Sequence, residues 1–390
     1  MIQTAQRLQH IKEYYFSIKL KEIKRRNEAG ENIINLGIGS PDLLPPTSVI
    51  KALQNTSEEL LANKYQSYIG TDDLRKEISN WYAKHFNISL NPSNEILPLL
   101  GSKEGIMHIS MTFLNKGDCV LVPNPGYPTY SSVSNLVEAS ILSYDLEESN
   151  HWLPSLEQLK SMPLDQVKIM WINYPNMPTG AKGDQNILEE LIQLAIKHNF
   201  IIVNDNPYSF ILNDDPISIL QLKDAKKCCL ELNSLSKLYN MAGWRVGMVS
   251  GNEKLITEIL KVKSNVDSGM YLPIQKGAIE ALKQPKSWFD QLNQEYRNRR
   301  KLVWEICDHL NLSYDKNRSG MFIWAKIQNK QNSIDWCEEK LNTNKVFITP
   351  GTIFGSNGEG YVRFSLCAPA EVLKESLDRL TKNLTKIEYH

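Results

Sequence analysis

The sequence predicts an α/β fold, with a large domain built on a mostly parallel mixed sheet between helices and a smaller α+β domain after it. Three observations carry that prediction. Short apolar runs alternate with helix-period stretches through the middle of the chain, the pattern of parallel strands covered on both faces by helices. Beyond about residue 290 the alternation gives way to a long charged helix followed by scattered short strands. At 390 residues the chain is also long enough for two or three domains and a large buried core.

Taken in order, Ile11 to Ala29 reads as a helical segment and Ile33 to Gly37 as a short strand, too little for a domain of their own. Leu97 to Gly105 reads as a strand, a glycine turn and a helix start, and Glu104 to Leu114 continues that helix. Buried strands are predicted at Cys119 to Val122, Lys168 to Ile172, Phe200 to Val203, Cys228 to Leu232 and Val246 to Ser250, with a helix at Gln185 to His198 between the second and third. The late region offers a helix at Gln291 to Leu310, strands at Met321 to Ile327, Val346 to Thr349 and Tyr361 to Leu366, and a helix at Ser333 to Leu341. The expected division is an N-terminal arm contributing to the small domain at 1–46, a large domain at 47–290 and a small domain at 291–390. In such sheets ligands bind at the carboxyl ends of the strands, so site residues are sought just after strands.

The 44 basic and 44 acidic residues cancel, with no long like-charge block. That balance gives no electrostatic footprint for nucleic acid or an anionic membrane, and a small-molecule ligand is the expectation. Met1 to Gly30 is polar and charged, with neither a signal-peptide core nor a membrane span, so a cytoplasmic location is expected. Six cysteines without CxxC or Cys/His spacing suggest reduced thiols, no disulfide and no metal site.

Several segments after strands carry candidate chemistry. In Ser234-Leu-Ser-Lys237, the lysine sits in a connection between two buried strands, where it either reaches solvent or is held neutral and nucleophilic to form an imine with a carbonyl ligand. Ser234, Ser236 and Arg245 would then form an anion site. The amides of Ser102 and Lys103 would open a helix N-terminus where phosphate binds well, although Ser102 also suits a plain N-cap. Tyr127, on the rigid Pro-Asn-Pro-Gly-Tyr-Pro loop, suits either a stack on a planar ligand or packing on the core. Asn176 lies in Asn-Tyr-Pro-Asn-Met-Pro-Thr-Gly, whose prolines hold the backbone at a strand end. Asp205 and Tyr208 end another strand, where a carboxylate needs a partner such as a protonated ring nitrogen, or else serves as a turn residue. Arg363, between apolar strand residues, suits a surface partner or a substrate carboxylate.

Together these segments resemble the fold-type I pyridoxal-phosphate aminotransferases of class I/II, over the chain from about Asn35 to its C-terminus. The Asn-Tyr-Pro-Asn-Met-Pro-Thr-Gly and Ser-Leu-Ser-Lys segments are specific in combination. The resemblance implies pyridoxal 5′-phosphate joined to Lys237, which would also carry the proton during transfer, and Asp205 paired with the pyridine nitrogen. It implies Asn176 and Tyr208 on the 3′-oxygen, Tyr127 against the ring, and phosphate held by Ser102, Lys103, Ser234, Ser236 and Arg245 with Tyr65 from a neighbouring subunit. It assigns the substrate α-carboxylate to Arg363, with Gly39 giving backbone room and Asn176 assisting. The usual Asn-Pro-x-Asn-Pro-Thr-Gly pattern is altered here, with the key asparagine read as kept at Asn176. The implied enzyme is a homodimer with shared sites, moving an amino group from an L-amino acid to a 2-oxo acid such as 2-oxoglutarate by a ping-pong mechanism. Val262 to Met270, together with the Leu-Gly-Ser-Lys-Glu-Gly and Tyr-Pro-Asn-Met-Pro-Thr-Gly segments, resembles the subgroup around LL-diaminopimelate, aspartate and aromatic aminotransferases, which leaves the donor open. Side-chain recognition would come from the N-terminal segment, the loop near Gly269 to Leu272 and the partner chain. A β-lyase on the same fold, and a non-catalytic binding or regulatory protein, remain as alternatives.

Overall fold

The computed structural model describes residues 2–9, 11, 13–329 and 331–381. Its centre is a seven-stranded sheet. In spatial order the strands are Ile96–Leu99, Gly247–Gly251, Cys229–Ser234, Ile201–Asp205, Val167–Ile172, Cys119–Asn124 and Ser140–Asp145. Gly247–Gly251 runs antiparallel to both neighbours and the other pairs are parallel, giving the mostly parallel mixed sheet. The central strands are largely buried on both faces, which is why they read as mostly apolar runs.

Local sequence explains the covering helices. Gln185–His198 begins where the Asp184 side chain accepts from the Ile187 amide at 3.0 Å and ends at Asn199 in the left-handed conformation. Its Leu188, Leu191, Ile192 and Ala195 recur at helical spacing and are buried, while Lys197 and His198 occupy the last turn, where cations are favoured. The edge strand Ser140–Asp145 lay outside the sequence expectation because its residues are mostly half-exposed and mixed in polarity.

A second sheet of four strands contains Thr349–Pro350, Tyr361–Ser365, Phe322–Ile327 and Leu312–Tyr314, all antiparallel. The N-terminal helix Tyr15–Glu28 leads into the two-residue strand Ile34–Asn35, which pairs parallel with Val346–Phe347. Arg299, buried within the long helix Lys286–His309, clamps Asp42 through two bonds of 2.7 and 3.0 Å and Glu295 through a third of 2.7 Å. These links bring the segment around Gly39 to the cleft between the two sheets, and losing both carboxylates would leave a buried guanidinium uncompensated. Among the described residues no helix is long and apolar enough to cross a membrane.

Candidate active site

A cavity of about 600 Å³ opens at the carboxyl ends of the central strands. Its walls include Gly39, Ser102, Lys103, Tyr127, Asp205, Tyr208, Ser234, Ser236, Lys237, Arg245 and Arg363, so most residues singled out from sequence converge on one space.

Each element delivers its residue for a local reason. Gly101 adopts φ +94° and begins the helix Ser102–Phe113, so the cap is the glycine and the Ser102 side chain makes no capping bond. Glu104 Oε2 turns back to accept from the Leu100 amide at 2.6 Å. A Cβ on Gly101 would lie 2.2 Å from Arg245 Nη2, and one on Gly247 would lie 2.6 Å from the Ser102 nitrogen. Backbone and guanidinium are thus packed too closely for any side chain. Ser234 Oγ accepts from the Ser236 amide at 3.1 Å and donates to Ser236 Oγ at 2.8 Å, which turns both hydroxyls to one side of the strand end.

Lys237 donates its Nζ to the Gly39 carbonyl. Burial lowers its pKa, and the Arg363 and Arg245 charges act in the same direction. Asp205 is 4% exposed; Tyr130 donates to its Oδ2 at 3.0 Å, while Oδ1 has no partner among the described residues. Burial raises this carboxyl to about 7, against a lowering contribution from the Tyr130 bond. Asp205 is therefore a buried acceptor whose Oδ1 lone pairs take no hydrogen bond among the described residues, and the turn role weighed from sequence does not apply. Behind it, Glu231 is buried and takes bonds from Asn204 at 3.1 Å, Ser218 at 2.8 Å and the Ile219 amide at 3.0 Å, which steadies the strand end.

Arg363 is 4% exposed and forms no ion pair among the described residues. Nη2 donates to the Gly37 carbonyl at 2.6 Å and Nη1 to Met177 Sδ at 3.1 Å, while Nε is unpartnered. Phe322 and Phe354 lie against the guanidinium, their ring centroids 4.0 and 4.5 Å from Cζ. Burial lowers its pKa to about 10.

Two expected residues fall elsewhere. Asn176 does not line the cavity: its Oδ1 accepts from Thr179 Oγ1 at 2.7 Å and its Nδ2 is buried without a partner. Aligned on Pro178-Thr179-Gly180, Met177 stands where the pattern has its second asparagine, so the amide read as kept is replaced by a thioether that reaches the cavity. Adjacent side chains in an extended turn face opposite ways, and Asn176 is used to close the turn, its carbonyl accepting from Gly180 at 2.7 Å. Tyr65 is 91% exposed and also lies away from its own chain's cavity.

Other wall residues were not anticipated. Asn173 Oδ1 accepts from the Met177 amide at 2.7 Å, and its Nδ2 donates to the Asp205 carbonyl, tying two strand ends together. Tyr130, three residues after Tyr127 on the same helical turn, had a detectable signal in that spacing. Tyr14, at the start of the N-terminal helix, and Phe16 and Leu20 within it had none.

Lys103, Lys237, Arg245 and Arg363 thus face one cavity, none in an ion pair among the described residues, with Asp205 as the single carboxylate on its wall. Such a set suits a ligand with more than one anionic group and one cationic atom for Asp205 Oδ1.

Comparison with known proteins agrees with this chemistry. The family model "Aminotransferase class I and II" matches residues 31–380. The LL-diaminopimelate aminotransferase of Dehalococcoides mccartyi is 38% identical over 378 residues, 96% of this chain and 97% of that protein. That of Aquifex aeolicus is 36% identical over 386 residues, 98% of this chain and all of its own. The substrate-bound structure of BacF from Bacillus subtilis superposes with a TM-score of 0.93 at 33% identity, covering 98% of each chain. The chain belongs to the class I and II aminotransferases. It is a pyridoxal-phosphate-dependent enzyme that transfers amino groups.

Proposed function

We propose that this cavity is the active site of a cytoplasmic homodimer that moves an amino group from an L-amino acid to a 2-oxo acid such as 2-oxoglutarate by a ping-pong mechanism. The observation that carries the reading is the orphaned Oδ1 of Asp205 in the same cavity as four cations that form no ion pair among the described residues. LL-diaminopimelate, named for the relatives, is one candidate donor.

The residues fit pyridoxal phosphate. Asp205 Oδ1 would accept from its protonated ring nitrogen, and Tyr127 would lie against the ring. Tyr208 would hydrogen-bond the 3′-oxygen; Asn176 was also expected there, but its position off the cavity leaves that share to Tyr208 and Asn173. The phosphate would take the helix N-terminus at Ser102 and Lys103, the Ser234 and Ser236 hydroxyls and Arg245, where close glycine packing lets backbone amides approach an anion. Tyr65 would reach the same phosphate from the partner subunit, which accounts for its exposure in one chain. When bound, the cofactor supplies an electron sink for the charge that develops at the substrate Cα.

The chain's own groups supply the rest. Lys237, biased toward its neutral form by burial, holds a lone pair that accepts the Cα proton and returns it on the far side of the transfer. Arg363, free of any carboxylate, pairs with the substrate α-carboxylate, and Gly39, whose Cβ would lie 2.2 Å from Phe322 Cζ, keeps the backbone close enough for Lys237 to anchor on its carbonyl. The division into 1–46, 47–290 and 291–390 belongs to the same reading, with the cavity between the large and small parts.

The test is a half-reaction. Holoenzyme mixed with an amino-acid donor alone is expected to convert its cofactor to the amine form and release one 2-oxo acid per site. Release of pyruvate and ammonia over many turnovers would instead establish a β-lyase.

A further inference from the structure

We propose that Lys263 is a positioning residue for the neighbouring subunit's active site: paired with Asp267, its buried ammonium fixes the loop that presents Tyr65. This rests on the shared-site reading above and deepens it.

Tyr65 does not hold itself in place. Its side chain is exposed, and the same loop carries Leu60, Leu61 and Tyr68 to the surface. Bonds within the loop are short-range: Gln66 Nε2 donates to the Lys64 carbonyl at 2.8 Å, and the Gly70 amide to the Ser67 carbonyl at 3.0 Å. Ordering such a segment costs conformational entropy, so a tyrosine on it binds a phosphate in another chain well only where the backbone is fixed from behind.

Lys263 supplies that fixation. It ends the helix Glu253–Lys263 and is 3% exposed, an ammonium held inside the protein. Nζ donates to the Tyr68 carbonyl at 2.8 Å and to Asp267 Oδ1 at 3.0 Å, and lies 2.9 Å from Asp267 Oδ2. Asp267 Oδ1 also accepts from the Gly269 amide at 2.8 Å. Gly269, at φ +87°, lies so close to the loop that a Cβ would stand 2.5 Å from the Gln66 carbonyl oxygen. Beyond Tyr68, Gln275 Oε1 accepts from the Thr71 amide at 2.8 Å while its Nε2 donates to the Met270 carbonyl at 2.6 Å. A buried ion pair adds little net stability, because desolvation offsets the attraction; here it provides geometry.

Asp267 also meets the phosphate turn of its own chain. One ligand atom each of Asp267, His108 and Glu104 lies within 4.8 Å of the others, and Glu104 Oε2 accepts from the Leu100 amide. The Tyr65 loop is thereby registered to the helix Ser102–Phe113 that opens the phosphate site. Val266, next to Asp267 in sequence, is exposed and adds to the apolar surface near the loop, as expected where a second copy covers it.

The experiment measures the dissociation constant of pyridoxal phosphate from the full-length protein by equilibrium dialysis, and hydrogen exchange of the cofactor-free form. The main variant, Lys263→Met with Asp267→Asn, removes both charges together, so that neither is left buried alone, and keeps an acceptor for Gly269. It is expected to raise the dissociation constant by about 10- to 100-fold, as Tyr65→Phe does, the scale of one hydrogen bond to a charged group. Added to Tyr65→Phe it is expected to contribute no more than about twofold, since both act through one contact. Amides of 65–71 are expected to exchange faster while the seven-stranded sheet keeps its protection. Gly269→Ala, which presses on the Gln66 carbonyl and spares both charges, is expected to weaken the cofactor as well. In a hybrid dimer with a Lys237→Ala subunit, the site that keeps Lys237 lies in the Lys263-variant subunit and receives Tyr65 from the subunit with intact Lys263. Parental affinity is expected there. Parental affinity in the homodimeric Lys263 variant or in Gly269→Ala, an additive effect with Tyr65→Phe, or a hybrid that stays weak would overturn the inference and leave the shared site standing. Parental affinity in Tyr65→Phe would overturn the shared phosphate site and the inference with it.

Discussion

Replacing Asp205 by asparagine separates the cost of a buried carboxylate from its use. In the cofactor-free protein burial raises this carboxyl from 3.8 to about 7. Because the folded value lies above the unfolded one, the folded state binds the extra proton between those values. The resulting stability is present below about pH 4 and is lost as pH rises through 7. A shift of this size corresponds to about 4 kcal/mol, at 1.36 kcal/mol per unit. With about 2.1 cal/mol/K of unfolding entropy per residue, it amounts to roughly 5 °C for a chain of 390 residues. Cofactor-free Asp205→Asn is therefore expected to melt above the cofactor-free parent at pH 8, with the gap closing toward pH 4. The cofactor-loaded variant is expected to lose about 10²- to 10³-fold in half-reaction rate, the usual scale for removing one aimed electrostatic partner. Scanning calorimetry across pH, paired with stopped-flow absorbance, reads both effects. A cofactor-free variant less stable than the parent at pH 8, or a loaded variant with undiminished rate, would refute the reasoning.

Three further outcomes follow from the geometry. Arg363→Lys keeps one charge but loses the two-pronged fork, and is expected to raise the donor KM by about 10- to 100-fold, measured in steady-state assays. Gly101→Ala places a Cβ 2.2 Å from Arg245 Nη2 at a φ of +94°, so cofactor affinity is expected to fall sharply in equilibrium dialysis while the far-ultraviolet circular dichroism is kept. Tyr65→Phe is expected to weaken cofactor binding although Tyr65 stands outside its own cavity, and sedimentation at assay concentration is expected to show a dimer; an active monomer would rule out the shared site.

What could be read from the sequence followed from local signals. The strands around Trp171, Val203 and Leu230 carry apolar runs because both faces are covered, and Gln185 to His198 has caps at both ends, so its limits were legible. Lys237 and Asp205 were legible because each is a charge at the end of a buried strand, and Arg363 because it is a charge among apolar strand residues. The asparagine of the Pro-Thr-Gly turn was misplaced by one residue, because spacing alone does not say which of two neighbours closes the turn and which faces the ligand. Tyr14, Phe16 and Leu20 were invisible because their place depends on long-range links such as Ile34 with Val346 and Arg299 with Asp42. The edge strand Ser140–Asp145 was missed because an edge needs no apolar face on both sides.

The central claim is that Lys237 anchors the cofactor and carries the proton. Borohydride reduction of the loaded enzyme, followed by peptide mass spectrometry, fixes the cofactor to whichever lysine holds it. The account predicts a single modified peptide carrying the label on Lys237, and none in Lys237→Ala. A label on Lys103, or on any lysine other than 237, would contradict it.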